Sequence, residues 1–466
     1  MMTEGRLVII ARHLFCALLA LALGAVPCLA ATDTFEHKLG NGLRVIVKPD
    51  RRSPVAVSIL WYNVGSMDEV NGVTGVAHVL EHMMFKGTPA VPDGEYAKHI
   101  LGAGGRLNAF TNKEFTGYFQ ALHKSQLELA FRLEADRMAN VALAEEEFAK
   151  EIKVIMEERR WVYDDQPRMM VYEQLMAALF TAHPYRHPVI GWMSDLQSMR
   201  VSDVRAFFER WYAPNNALWV VVGDVEPSEV FALAEKYFGG IKPKSLPQRK
   251  PQDEPRQLGT RRITVKAPAE LPYVMMAYRV PALRDPERDW EPYALDMLAA
   301  VLGGNEAARL NSTLVRRDQV ANSANASYDG IGRGPATFFL YGVSAQGKSA
   351  ELLEQGLRAE MAKIMKEGVT EEELARVRAQ AVAQQVFERD SMYFQARMIG
   401  ALEVAGVSHS TLDLQLQKLR QVTAAQVQEV ARKYFSDDVL TVAHLEPQPI
   451  SDRAARPAPP GILHGR

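Results

Sequence analysis

The sequence predicts an α+β protein of two tandem homologous domains, each a mainly antiparallel sheet packed with helices. Three observations carry this expectation. The second half of the chain echoes the first: Val201, Trp211–Tyr212, Leu218 and Glu226–Pro227 return as Val422, Lys433–Tyr434, Leu440 and Glu446–Pro447. Residues 242–259 turn to Pro, Lys, Gln and Arg, with Pro243, Pro247, Pro251 and Pro255, which is the composition of a linker. A strand-then-helix order over residues 55–87 is mirrored over residues 273–303. At 466 residues there is room for both domains to bury a core of their own.

Taken in order, residues 1–30 read as a secretory signal peptide. Arg6, Arg12 and His13 precede an apolar stretch over 14–26, and the small residues Cys28 and Ala30 suit cleavage before Ala31. The stretch is short for a membrane span, so no stable span is expected after signal removal, with an uncleaved anchor as the alternative. A lipoprotein reading of Cys28 is weakened by Pro27. The expected location is periplasmic or secreted, in a bacterium. Cys16 and Cys28 are the chain's two cysteines and both lie in this segment, so the mature chain has no thiol for a disulfide, a metal or a nucleophile.

The N-terminal domain is expected over 31–241. Residues 43–47 and 55–64 are β-rich, and the glycines over 72–75 separate them from an apolar helical pattern. A helix over 93–101 ends at Gly102, and residues 104–122 alternate as a two-stranded hairpin. Long helices are expected over 125–140 and 144–163, and a strand buried on both faces over 218–223. Beyond the linker, the C-terminal domain is expected over 260–447 and a flexible tail over 448–466, rich in Pro and Ala. The charge balance, 54 basic against 56 acidic residues, excludes a nucleic-acid footprint and a polybasic membrane surface.

Chemistry concentrates in the first apolar helix, where His78, Glu81 and His82 stand at i, i+3 and i+4 and so share one face. Two imidazoles and a carboxylate converging on a point suit a zinc ion and its general base. The order H-x-x-E-H inverts the commoner H-E-x-x-H motif of metalloproteases. Glu81 sits in an otherwise apolar helix, where an unpaired charge is unfavourable without a cation nearby. Hydrolytic zinc takes three protein ligands, so two histidines are one short. The acidic helix over 145–158 supplies candidates: Glu151 and Glu158 lie two turns apart on one face, whereas Glu157 points about 100° away. One of that pair can reach the metal while the other stands behind a ligand. His183 and His187 could also bind metal, but Pro184 between them argues for a turn and a structural role.

These residues resemble the pitrilysin family of zinc metallopeptidases, which includes insulin-degrading enzyme and the mitochondrial processing peptidase. The resemblance runs from the Leu39–Val45 opening to Pro447. It implies that each pair of domains forms half of a clamshell. It also implies one Zn2+ per catalytic chain, held by His78, His82 and Glu158, with Glu151 behind a ligand and Glu81 as catalytic base. Asn108, Ala109, Phe110 and Thr111 match the family's edge strand, where a peptide substrate adds as an extra strand. The family's C-terminal half often carries an Arg and, seven residues on, a Tyr that hold substrate. Aligned on Arg309 and Leu310, those places are Val315 and Asn322, which leaves Arg316 as the candidate stand-in.

The activity implied is zinc-dependent endopeptidase cleavage of short peptides or unfolded segments by metal-activated water. The alternative is a non-catalytic scaffold or peptide-binding subunit of the same fold. Half-length members pair, so a dimer is expected, with an inactive paralogue supplying the missing Arg/Tyr pair or else with a second copy.

Overall fold

Runs rich in Val and Ile place successive side chains on opposite faces of a strand, so a strand apolar throughout needs cover on both sides. The computed structural model describes residues 34–450. The expected signal segment, with Cys16 and Cys28, and residues 451–466 of the expected tail lie outside the described residues.

The first half comprises β1 (Phe35–Lys38), β2 (Arg44–Pro49), β3 (Val55–Tyr62), α1 (Val76–Met83), α2 (Glu95–Gly102), β4 (Arg106–Thr111), β5 (Thr116–His123), α3 (Leu127–Asn140), α4 (Glu145–Arg159), α5 (Pro167–Leu179), α6 (Met193–Ser198), α7 (Val201–Trp211), β6 (Ala217–Gly223) and α8 (Pro227–Phe238). The second half comprises β7 (Arg261–Pro268), β8 (Tyr273–Val280), α9 (Glu291–Leu302), β9 (Ala321–Asp329), β10 (Ala336–Ser344), α10 (Ala350–Glu367), α11 (Glu371–Arg389), α12 (Met392–Val404), α13 (Leu412–Gln421), α14 (Ala424–Tyr434) and β11 (Thr441–Gln448). Residues 242–259 between them form neither helix nor strand.

Each half builds one sheet, in the orders β1-β2-β6-β3-β5-β4 and β7-β11-β8-β10-β9. Both are antiparallel except for one pair each, β2 with β6 and β7 with β11. The strand that holds Leu218 and the strand that follows Leu440 therefore fill the same slot in the two sheets. The helix expected over 144–163 stops at Arg159 and widens into a π turn over Arg160–Asp164, where the Asp165 N–H reaches the Arg160 carbonyl at 2.8 Å. The extra residue in that turn swings the chain off the α4 axis toward Pro167, which opens α5.

In β3, Ala56, Leu60 and Tyr62 face one core with α1, α3, α4 and α7, while Val57, Ile59 and Trp61 face the other way. The layer that covers this second face comes from the other half of the chain: Ala396, Ile399 and Val404 of α12 pack on Ile46, Val57, Ile59, Val220 and Val222. The exchange is reciprocal. Val171, Leu175, Met176 and Leu179 of α5 pack on Val265, Ala267, Tyr273, Met275 and Leu445 of the second sheet. Each Val, Leu, Ile and Met among them contributes roughly 1.5–3 kcal/mol by leaving water, so neither sheet reaches its full burial without the helix lent by the other half. Among the described residues, no helix is long and apolar enough to cross a membrane.

Candidate metal centre

Helix α1 turns Val76, Ala77, Val79, Leu80 and Met83 into the core, which leaves His78, Glu81 and His82 on the face toward α4 and β4. Its entry is tightly shaped. Gly75 has φ of 90°, and a Cβ there would lie 2.4 Å from the Ile190 carbonyl oxygen. The N–H groups at the start of the helix, which have no intrahelical acceptor, are met by a buried carboxyl group: Glu69 Oε2 accepts from Gly75 N–H and Oε1 from Ala77 N–H, both at 2.8 Å. Asp195 Oδ2 fixes the preceding loop by accepting from Thr74 N–H at 3.0 Å and Thr74 Oγ1 at 2.7 Å.

Helix α4 brings Glu151 and Glu158 across from α1. Glu158 Oε2 lies 3.8 Å from His78 Nε2 and 3.5 Å from His82 Nε2. One donor atom from each of His78, His82 and Glu158 falls within 4.8 Å of the others, and His78 and Glu158 are buried. Zinc–ligand bonds of about 2.0–2.1 Å in a tetrahedron put neighbouring donors roughly 3.3 Å apart, so the spacing and the N/N/O donor set fit a zinc ion. The C-terminal end of α4 is locked by Arg159, which grips Glu173 of α5 through two hydrogen bonds at 2.8 and 3.1 Å.

A third layer orients these groups. His82 Nδ1 donates to Glu151 Oε1 at 2.9 Å, which leaves the Nε2 lone pair toward Glu158 and His78. Glu151 Oε2 in turn meets Lys86 Nζ at 2.5 Å. Burial pushes the Glu151 carboxyl up, but the hydrogen bonds from His82 and Lys86 outweigh it and hold the group below the usual carboxylate range. Glu81, 3 % exposed, accepts a 2.5 Å hydrogen bond from Thr111 Oγ1 at the end of β4.

β4 is the last strand of its sheet and pairs with β5 alone, from Arg106 opposite Ala121 to Thr111 opposite Thr116. Ala109 is buried and Asn108, Phe110 and Thr111 are partly buried. The Ala109 N–H is held by Asn108 Oδ1 at 2.9 Å, and Phe110 packs edge-on against Trp61 with centroids 5.2 Å apart.

The structure thus brings His78, Glu81, His82, Glu151, Glu158 and Thr111 together. Arg316 lies in the other half, exposed, donating to Ser312 Oγ at 2.7 Å. Val315 packs against the second core and Asn322 is exposed on β9. His183 is buried in a turn, where its Nδ1 accepts from Tyr185 N–H at 3.3 Å, and His187 Nδ1 accepts from Trp192 Nε1 at 3.2 Å. The sequence reading missed Glu69 and Asp195. The signal available for Glu69 was an acidic residue shortly before an apolar helix that lacks a Ser, Thr, Asp or Asn cap.

Two family models match the chain, "Insulinase (Peptidase family M16)" over residues 44–191 and "Peptidase M16 inactive domain" over residues 198–381. The zinc protease PqqE of Helicobacter pylori is 32% identical over 415 residues, covering 88% of this chain and 92% of that one. The crystal structure of a protease from Helicobacter pylori superposes with a TM-score of 0.85 at 30% identity, over 89% of this chain and 100% of its own. The periplasmic protease PqqL from Escherichia coli shares the fold, with a TM-score of 0.76 at 20% identity. It covers 91% of this chain, which spans 49% of PqqL.

Proposed function

This chain belongs to the M16 peptidase family, whose members here are named zinc proteases, and on that premise we propose that it is a zinc-dependent endopeptidase cleaving short peptides or unfolded segments. The observation that carries the reading is the convergence of His78, His82 and Glu158 beside the buried carboxylate of Glu81.

A zinc ion held by His78, His82 and Glu158 would polarise the scissile carbonyl and make water acidic enough to attack near neutral pH. Glu81 takes the proton from the attacking water and returns it to the leaving amine. The Thr111 hydroxyl holds one oxygen of Glu81 and so aims the other. Glu151 keeps His82 in the tautomer that presents Nε2. The unpaired edge of β4 receives the peptide as an added strand. In doing so the peptide displaces Asn108 from the Ala109 N–H, and Asn108 and Ala109 then flank the scissile bond.

Beyond the centre, the reading includes export to the periplasm after removal of residues 1–30. PqqL is described as periplasmic and is about twice this length. A chain equivalent to half of such a molecule pairs with a second half, either a paralogue or another copy, which supplies the substrate-holding groups absent at Val315 and Asn322. Arg316 is a weaker source of that function, since its guanidinium is turned to Ser312.

The decisive experiment compares the wild type with Glu81→Gln on a peptide mixture, with zinc measured on both. The expected result is full zinc content and a loss of about 10²–10⁴ in rate for the variant. Undiminished cleavage by Glu81→Gln would sink the mechanism. A wild-type chain that binds peptide without cleaving it, alone or with a paralogue, would favour the scaffold reading.

A further inference from the structure

The turn joining β4 to β5 is a tight unit: Asn112 Oδ1 accepts from Glu114 N–H at 2.7 Å and Phe115 N–H at 3.0 Å. Its carbonyls accept from the segment that leads into α1, Asn112 from Ser66 N–H at 3.1 Å and Lys113 from Met67 N–H at 2.8 Å. Its side chain Glu114, 4 % exposed, reaches into the other half of the molecule. There the carboxylate accepts from Arg333 N–H at 2.6 Å and Gly334 N–H at 2.9 Å, and from the Tyr185 hydroxyl. Arg333 Nη2 closes the clasp on the Glu114 carbonyl at 2.6 Å. The loop is shaped for this approach, since a Cβ on Gly334 would lie 2.4 Å from the Tyr185 ring.

Glu114 stands three residues from Thr111, whose hydroxyl bonds Glu81. β4 has a strand partner on one side only, so a ladder fixes one of its edges and the turn must fix its end. We propose that Glu114 is a positioning residue: by clasping the 333–334 loop it lets the C-terminal half set where Thr111 and the docking edge of β4 stand relative to Glu81. Two backbone N–H groups and one hydroxyl meet the carboxylate, with Arg333 Nε 3.9 Å from Oε2, a set that a carboxylate accepts and an amide NH2 repels. This role rests on the peptidase reading above, but the clasp itself can be read without activity.

The test uses the full chain, with any activating partner present, and the variant Glu114→Gln. Misplacing a reacting group by about 1 Å can cost on the order of a hundredfold in rate, so kcat is expected to fall roughly ten- to hundredfold while zinc content stays at the wild-type value; the donors left without an acceptor lower the melting temperature by a few degrees. Hydrogen exchange of the amides over 106–111 is expected to quicken in the same variant, with exchange over 76–83 unchanged. Undiminished kcat in an active protein overturns the proposal, as does a loss of zinc that parallels the loss of kcat. Should the wild type prove inactive, the peptidase reading fails by itself, and exchange over 106–111 still decides: unchanged exchange overturns the clasp. Should Glu114→Gln not fold, Tyr185→Phe removes one donor and keeps the carboxylate, and the same two readouts apply.

Discussion

His82 stands between two carboxylates, with Nδ1 at 2.9 Å from Glu151 and Nε2 at 3.5 Å from Glu158. The two ring nitrogens therefore have separate tasks, and removing the Glu151 contact frees the ring to take the other tautomer. Glu151→Ala is expected to weaken zinc binding about 10- to 100-fold, read by competition with a chromophoric chelator. Glu151→Gln keeps one acceptor oxygen and falls between. Equal affinity in all three proteins would remove Glu151 from the site.

Glu69 accepts from the first N–H groups of the helix that carries His78 and His82. Its truncation leaves buried donors without an acceptor, at about 1–3 kcal/mol. Glu69→Ala is expected to lower the urea midpoint and Glu69→Gln to recover part of the loss. A midpoint unchanged in Glu69→Ala would show that water satisfies these groups.

Gly400 on α12 sets two effects against each other. Alanine there gains up to about 1 kcal/mol of helix propensity, but its Cβ would lie 2.1 Å from the Trp61 indole. Overpacking of that kind costs about 1–3 kcal/mol, so Gly400→Ala is expected to destabilise the protein in urea unfolding. A stabilised variant would mean that α12 seats loosely on the first sheet.

Burial lowers the pKa of His183 from 6.5 to about 4 in the folded chain. Between those values the unfolded chain binds a proton that the native chain does not, so the contribution to stability is present above about 6.5 and is lost as pH falls toward and through about 4. Urea midpoints measured across that range are expected to fall less steeply for His183→Gln than for the wild type. Identical slopes would place the acid sensitivity elsewhere.

The parts of this molecule that repeat at short range are readable in its sequence. His78, Glu81 and His82 sit within one and a half turns of a helix, and Glu151 and Glu158 two turns apart on another, so period alone put each set on a face. The run over 218–223 read as buried on both sides, and it is. What stayed hidden depends on contacts between segments far apart in the chain. Thr111 reaches Glu81, Glu114 reaches residue 334 and Asp195 reaches Thr74 only after the sheet has closed. The apolar residues of α5 and α12 are spread around each helix and not gathered into one stripe, so neither the packing face nor its partner sheet could be read from period.

That exchange also sets an order of events in synthesis. Every residue of the first sheet and of the proposed metal centre has left the ribosome before α12 is made. Until then Val57, Ile59, Val220 and Val222 line an open apolar face, and the half that would cut peptides has no finished scaffold. Among the described residues, the C-terminal half adds no side chain to the proposed metal centre, yet its arrival completes the other. A fold built this way keeps the face behind its proposed metal centre open until residue 404 of 466 has been translated.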